Sequence, residues 1–188
     1  MIVAHLADSH IAPQGDLRDP VTGLNARLMD RYRCTRFCVT DALARGAELI
    51  LHAGDLLNSA RPTPTEGRLA RQALQPAIDA GVPVVLILGN HEAGGAQANH
   101  ALEWLKSWPG VTVIDQPCLL DVWRDADNAG PLQVLAYSET PPAGVYCPQR
   151  HIQIACLPWQ ERRELLTDPV NRQKSPAELN LLMREVVM

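Results

Sequence analysis

Three short segments of this sequence combine the side-chain types that bind divalent metal ions. They are Asp8-Ser9-His10, Gly54-Asp55 and Gly89-Asn90-His91-Glu92. Carboxylate, imidazole and amide oxygen ligands together suit Mn, Fe or Zn better than soft metals. Two such ions about 3.5–4 Å apart can hold both the attacking and the leaving oxygen of a phosphoryl transfer. The three segments therefore predict the chemistry of a two-metal phosphoesterase.

Each candidate residue has an expected role in this chemistry. Asp8 and His10 lie two residues apart after a predicted strand, so both can point to the same side. Asp55 is the natural bridging carboxylate, and Asn90 offers a neutral carbonyl oxygen. Because neighbouring side chains usually point apart, His91 is a poor ligand if Asn90 binds, and it is better placed to meet the phosphate as an acid or charge stabiliser. We therefore predict Asp8, His10, Asp55 and Asn90 as metal ligands, and Asp55 and His91 as catalytic residues.

Taken singly, these segments are weak evidence, because Asp-x-His is common and Gly-Asp is often only a turn. Their positions strengthen them, since each follows an apolar run that predicts a strand, at 2–7, 48–53 and 84–88. In open α/β sheets, sites lie at the carboxyl ends of the parallel strands. The sequence therefore predicts parallel strands that bring the three segments to one sheet edge.

The remaining periodicity predicts further helices and strands. Thr65 is the expected N-cap of the second helix, Asn99 or a neighbour that of the third, and Ser175 with Glu178 forms a capping box for the last. Core packing is expected for Trp104 and Trp108, with a dimer contact as the alternative. The predicted helices cover 24–45, 66–79, 100–107 and 177–188, and the further strands cover 111–114, 117–124 and 131–137.

Charge and cysteine content limit the function classes. A formal net charge of −4 does not suggest a nucleic-acid surface, although bound divalent ions reverse the local potential. The five cysteines form no Cys-x-x-Cys pair, which predicts reduced thiols in the cytoplasm.

The chain starts directly with a strand, and no apolar run is long enough to span a bilayer, so we expect neither a signal peptide nor a membrane segment. Several arginines near the first helix either form a solvated face or could follow a nucleic-acid backbone; they are Arg18, Arg27, Arg31, Arg33 and Arg36.

The motifs resemble those of the calcineurin-like metallophosphoesterases, and within them the SbcD-type nucleases that process DNA double-strand breaks. The resemblance is specific over 1–92 and looser over 93–160. It is carried by the following segments: His5-Leu6-Ala7-Asp8-Ser9-His10-Ile11, Asp30-Arg31-Tyr32-Arg33, His52-Ala53-Gly54-Asp55-Leu56-Leu57, Gly89-Asn90-His91-Glu92 and Leu157-Pro158-Trp159.

This resemblance implies an α/β sandwich with mixed β-sheets flanked by helices. It implies a Mn²⁺-dependent exonuclease or endonuclease that hydrolyses DNA phosphodiesters with two ions, Mg²⁺, Fe²⁺ or Zn²⁺ being alternatives. Asp55 would bridge the ions and orient the nucleophile, and His91 would assist the leaving group. The implied partners are DNA, an SbcC-type coiled-coil ATPase and a second copy of the protein. Two alternatives stay open: a phosphoesterase acting on nucleotides or small phosphodiesters, and a non-catalytic binding or dimerising fragment.

The sequence also departs from the family pattern. Glu92 replaces the usual aspartate, and Leu57-Asn58 replaces Phe-Asp. The family completes its site with a Gly-His turn and a later His-x-His, whereas the last of the six histidines here is His151, which we interpret as a strand-start residue. The resemblance thus implies that 1–188 is one nuclease domain truncated at its C-terminus, inactive alone and binding at most one ion tightly. An uncovered apolar face is expected on the last helix, formed by Leu179, Leu182, Met183 and Val186.

Overall fold

The computed structural model describes residues 1–94, 100–123, 132–137, 152–159 and 169–187. These residues form seven strands and three α-helices, joined in places by 3₁₀ turns. The strands are β1 (Val3–Leu6), β2 (Leu49–His52), β3 (Val84–Ile87), β4 (Val111–Ile114), β5 (Cys118–Trp123), β6 (Gln133–Tyr137) and β7 (Ile152–Cys156). The α-helices are α1 (Ala26–Ala44), α2 (Pro64–Asp79) and α3 (Pro176–Val187), and the 3₁₀ helices are Glu103–Ser107 and Pro169–Gln173.

The strands form two separate sheets. The first is parallel, with the order β1-β2-β3-β4, and the second is antiparallel, with the order β6-β5-β7. In the parallel sheet Leu6 is opposite His52, and His52 is opposite Leu86. The carboxyl ends of β1, β2 and β3 are therefore aligned, as the sequence predicted. The predicted fold class is confirmed, with the two strand directions divided between the sheets.

Two hydrophobic cores hold these layers together. Alternate residues of the parallel sheet, such as Ile50 and Leu86, are buried in a core that also contains α1 and α2 residues. Residues of the opposite parity, such as Leu49 and Val85, are buried with Leu120 of the antiparallel sheet. Side chains of a strand alternate between its two faces, so this pattern places the parallel sheet between the helices and the second sheet. This stable sandwich positions the strand ends.

The start of α2 differs from the prediction. Thr63, not Thr65, is the N-cap: its side chain accepts a hydrogen bond from the Glu66 N–H, and the Glu66 carboxylate accepts one from the Thr63 N–H. Pro64 takes the first helical position, where its missing N–H costs nothing. The capping box with Glu66 and the position of Pro64 both favour Thr63 as the N-cap. The prediction of Thr65 was therefore wrong by two residues.

The predicted helix over 100–107 is only a short 3₁₀ helix from Glu103, without a side-chain cap. Asn99 lies outside the described residues. Trp108 packs in the helix-side core, as predicted. Core packing was the wrong prediction for Trp104, whose indole is 40% exposed although its Nε1 donates to the Ala101 carbonyl.

The last helix begins at the predicted capping box, since the Ser175 N–H donates to Glu178 and the Glu178 N–H donates to the Ser175 hydroxyl. The prediction of an uncovered apolar face was wrong at Leu179, which is only 5% exposed. His151, the last histidine of the sequence, lies outside the described residues. Among the helices that the structure describes, none has the length and apolarity that crossing a membrane requires.

Candidate metal centre

The first ligand segment is held against the second by backbone hydrogen bonds. The N–H groups of Asp8 and His10 donate to the carbonyls of Gly54 and Asp55 at 3.1 and 2.9 Å. Asp8, His10 and Asp55 all adopt left-handed conformations, with φ of 56°, 46° and 56°. Such conformations are uncommon for residues other than glycine, and they concentrate at functional sites. The turns at the ends of β1 and β2 therefore have strained backbones and are joined to each other by backbone hydrogen bonds.

These turns bring ligand atoms of the predicted residues together. Nε2 of His10 lies 3.6 Å from Oδ1 of Asp8 and 4.0 Å from Oδ2 of Asp55. The His91 ring joins them: one ligand atom each from His10, Asp55 and His91 lie within 4.8 Å of one another. The two imidazoles meet edge to face, with centroids 4.9 Å apart. His10, Asp55 and His91 therefore form one compact group that Asp8 adjoins through His10, and Asn90 is exposed in the same turn as His91.

The geometry fits a divalent ion. Two ligands that are each about 2.1 Å from one ion lie about 3.0–4.2 Å apart, which includes both carboxylate distances from His10. The same distances are too long for hydrogen bonds. Nδ1 of His10 is buried without a hydrogen-bond partner among the described residues. Oδ1 of Asp8 and Oδ2 of Asp55 therefore lie from Nε2 of His10 at distances that suit coordination of a shared ion.

His91 also holds Asp55 through its backbone. Its N–H donates to Oδ1 of Asp55 at 3.0 Å, which leaves Oδ2 of Asp55 facing His10. The His91 ring lies beside the His10 ring and within reach of Asp55. This placement is compatible with contact to a bound phosphate and also with a ligand role, so the two roles must be separated by experiment.

The turn that carries His91 approaches Asp55 so closely that only glycine fits at position 89. A Cβ atom on Gly89 would overlap Oδ1 and the backbone nitrogen of Asp55. Gly54 is similarly restricted, with φ of +100° and the Gly89 backbone against it. The two glycines of the sequence motifs therefore allow the second and third segments to touch.

Glu92 ties the same two segments together from inside. It is fully buried, and its carboxylate accepts hydrogen bonds from the N–H groups of Leu57, at 2.9 Å, and Gly89, at 3.1 Å. Burial raises the pKa of Glu92 to about 7, although both N–H groups oppose that shift. The sequence showed Glu92 only as a departure from the family pattern, and the structure makes it a clamp between the turns after β2 and β3.

A second buried polar residue, His52, was missed as part of the site. Its Nε2 lies 2.9 Å from the hydroxyl oxygen of Ser9, between the ligands Asp8 and His10. Burial lowers the pKa of His52 to about 4, so the imidazole is neutral. The sequence signal that could have found this pair was the histidine inside an otherwise apolar strand.

The arginines near α1 hold the loop that follows the site. Arg33 donates to Asp19 at 2.7 Å, and Arg31 donates to the Ala12 carbonyl at 3.1 Å. The hydrogen bond from Arg33, with those from the Thr22 N–H and hydroxyl, holds the pKa of Asp19 well below its usual range. These contacts favour a structural role for Arg31 and Arg33.

One other group of possible ligands lies in the described part of the chain, formed by His100, Glu103 and Asp115. The ammonium group of Lys106 already lies 2.9 Å from Glu103 and 2.7 Å from Asp115. A cation of the protein itself therefore neutralises this cluster, which we interpret as an ion-pair network.

The fold and the cluster at its strand ends define a class. Residues 1–164 match the family model for the calcineurin-like phosphoesterases, so the chain belongs to that family. It is similar to proteins named DNA double-strand break repair protein Mre11. The one from Methanocaldococcus jannaschii is 30% identical over 92 residues, which cover 49% of this chain and 24% of that protein. The one from Haloferax volcanii is 36% identical over 93 residues, which cover 48% of this chain and 19% of that protein.

The matched part therefore spans no more than about a quarter of the length of these relatives. The resemblance identified from the sequence motifs is confirmed at the level of the family.

Proposed function

We propose that this chain is the metal-binding nuclease domain of a DNA double-strand-break repair protein, which hydrolyses phosphodiesters with Mn²⁺. The observation that carries the proposal is the position of His10, whose Nε2 faces both Asp8 and Asp55 at distances that suit shared coordination. The family supplies the reaction class. Similarity to the Mre11 proteins, named for double-strand break repair, favours DNA as the substrate.

The residues of the site have different proposed roles in metal binding and in catalysis. Asp8, His10 and Asp55 would hold the first ion, and Asp55 and Asn90 would contribute to a second whose remaining ligands we expect from further histidines. When bound, such ions would activate water and neutralise the charge of the phosphate. The Asp55 carboxylate, which the His91 N–H holds in place, would orient the attacking water. The exposed His91 ring donates a proton or a hydrogen bond to the leaving oxygen.

The broader assignments are part of the same proposal. We place the complete protein in the cytoplasm, as a homodimer joined to an SbcC-type coiled-coil ATPase. The nuclease reaction needs both ions, so residues 1–188 alone should bind at most one tightly and should not turn over DNA.

A second candidate is a phosphoesterase that acts on nucleotides or small phosphodiesters. Two observations favour it: the net charge of −4, and the engagement of Arg31 and Arg33 in holding a loop. A protein that binds DNA usually offers free cationic side chains to the phosphates.

An assay of the complete protein separates the two candidates. We expect Mn²⁺-dependent degradation of linear DNA, assayed on single-stranded and double-stranded substrates, and slower hydrolysis of bis(p-nitrophenyl) phosphate. Because it removes the bridging carboxylate, Asp55→Ala should abolish the activity, which controls for contaminating nucleases. Residues 1–188 alone are assayed in parallel.

Rapid hydrolysis of the small diester with intact DNA would instead support the second candidate. If Asp55→Ala retained both activities, the assignment of Asp55 to the metal centre would be refuted. DNA degradation by residues 1–188 that depends on Asp55 would refute the claim that further histidines are needed.

A further inference from the structure

We propose that His52 is a positioning residue for the metal centre, acting through its hydrogen bond to Ser9. The imidazole is shielded from solvent, since His52 is completely buried at the end of β2. Its Nε2 lies 2.9 Å from the Ser9 hydroxyl oxygen. The proposal rests on the metal-binding function proposed above.

Ser9 lies at the centre of the turn that presents two ligands. Asp8 and His10, on either side of it, both have positive φ, at 56° and 46°. Left-handed conformations in residues other than glycine are unfavourable, and they persist only where the surroundings fix them. Backbone hydrogen bonds from Asp8 and His10 fix the two sides of the turn. The Ser9 side chain adds a third hydrogen bond, which joins the middle of the turn to His52 in the sheet.

His52 is a rigid anchor for that hydrogen bond. Its backbone pairs with Leu6 of β1 and Leu86 of β3, so it lies inside the parallel sheet. A hydrogen bond from this position transmits the geometry of the sheet to the turn. Partners that orient metal ligands typically contribute 10- to 100-fold to metal affinity.

The hydrogen bonding of the ring fixes its tautomer. Nδ1 of His52 is buried without a hydrogen-bond partner among the described residues. A proton on Nδ1 would leave a buried N–H donor unsatisfied, and orphaned N–H groups are rarer than under-satisfied acceptors. The structure therefore assigns the proton to Nε2, which donates to the Ser9 oxygen.

The test measures Mn²⁺ affinity of residues 1–188 by isothermal titration calorimetry. Ser9→Ala should raise the dissociation constant about 10- to 100-fold, because the turn loses its central hydrogen bond. Ser107→Ala is the matched control, since it removes a serine hydroxyl that donates to the Trp104 carbonyl in the 3₁₀ helix. The control should bind Mn²⁺ like the wild type, and both metal-free variants should melt within a few degrees of it.

Two further measurements distinguish positioning from a general effect on the fold. His52→Phe combined with Ser9→Ala should weaken Mn²⁺ binding no more than Ser9→Ala alone, because both substitutions remove one hydrogen bond. In the metal-free wild type, ¹⁵N NMR should show His52 as the Nε2–H tautomer.

Wild-type affinity in Ser9→Ala would overturn the proposal while leaving the metal-binding function intact. Additive losses in the double variant would also overturn it, and an Nδ1–H tautomer would overturn the assigned direction of the hydrogen bond. Absence of Mn²⁺ binding by the wild type would defeat the metal-binding function and this proposal together. If His52→Phe fails to fold, Ser9→Ala still decides.

Discussion

His91→Ala in the complete protein should lower the turnover of a phosphodiester by about 10²–10⁴-fold, the usual contribution of a positioned acid. Metal binding should survive, because Asp8, His10 and Asp55 remain. The backbone N–H of residue 91, which holds Asp55, is also kept by alanine. Steady-state kinetics and Mn²⁺ titration of the same preparation measure the two effects.

The matched variant for this test is His100→Ala. Its imidazole contacts the carboxylates of Glu103 and Asp115, outside the metal centre, so its turnover should stay close to that of the wild type. Loss of Mn²⁺ affinity together with activity in His91→Ala would show that His91 is a ligand. That outcome would agree with the clustering of its ring with His10 and Asp55.

The second large effect is expected from a single methyl group. Gly89→Ala should weaken Mn²⁺ binding by at least about 10-fold and lower the melting temperature, because the new Cβ overlaps the Asp55 carboxylate and backbone nitrogen. Relieving such an overlap costs typically about 1–3 kcal/mol, and here the group that must move is the bridging ligand. Calorimetric titration with Mn²⁺ and thermal unfolding without metal provide the two numbers.

Gly67→Ala is the appropriate control, since an added Cβ there would lie 3.4 Å from the Trp104 ring, an ordinary contact. Gly67 lies within α2, where alanine favours the helix, so this variant should be at least as stable as the wild type. Wild-type Mn²⁺ affinity in Gly89→Ala would mean that the contact between the second and third segments does not control the site.

The ligand cluster could be predicted from sequence because it follows from strand direction. Parallel strands align their carboxyl ends, so Asp8, Asp55 and His91 had to meet once three short apolar runs had been recognised as neighbouring strands. The side on which the His91 ring lies could not be predicted in the same way. It depends on the turn geometry, in which the His91 N–H donates to Asp55 and the His91 ring lies edge to face with that of His10.

The supporting contacts were beyond sequence reasoning for a different reason. Ser9 and His52 are 43 residues apart, and Leu57 and Glu92 are 35 residues apart, so neither pair leaves a local pattern. Each contact joins segments that are distant in the sequence and that only the folded sheet brings together. A buried acid or imidazole in an apolar context signals that such a partner exists, but not which residue it is.

Helix ends were predicted less well than strands, and Thr65 illustrates the cause. Two threonines flank Pro64, and both are acceptable caps by composition. Glu66 decides between them, because it lies three residues after Thr63 and closes a reciprocal pair of hydrogen bonds there. The correct criterion was therefore the capping box, not the start of the apolar periodicity.

The central claim is that the carboxyl ends of β1 and β2 form a divalent-metal site from Asp8, His10 and Asp55. Anomalous diffraction at the manganese edge, from crystals of residues 1–188 grown with Mn²⁺, tests it most directly. We predict one strong peak within coordination distance of Nε2 of His10 and the carboxylates of Asp8 and Asp55, and its absence in Asp55→Ala crystals. No peak at these three residues would contradict the site, and two fully occupied peaks would contradict the prediction that 1–188 binds only one ion tightly.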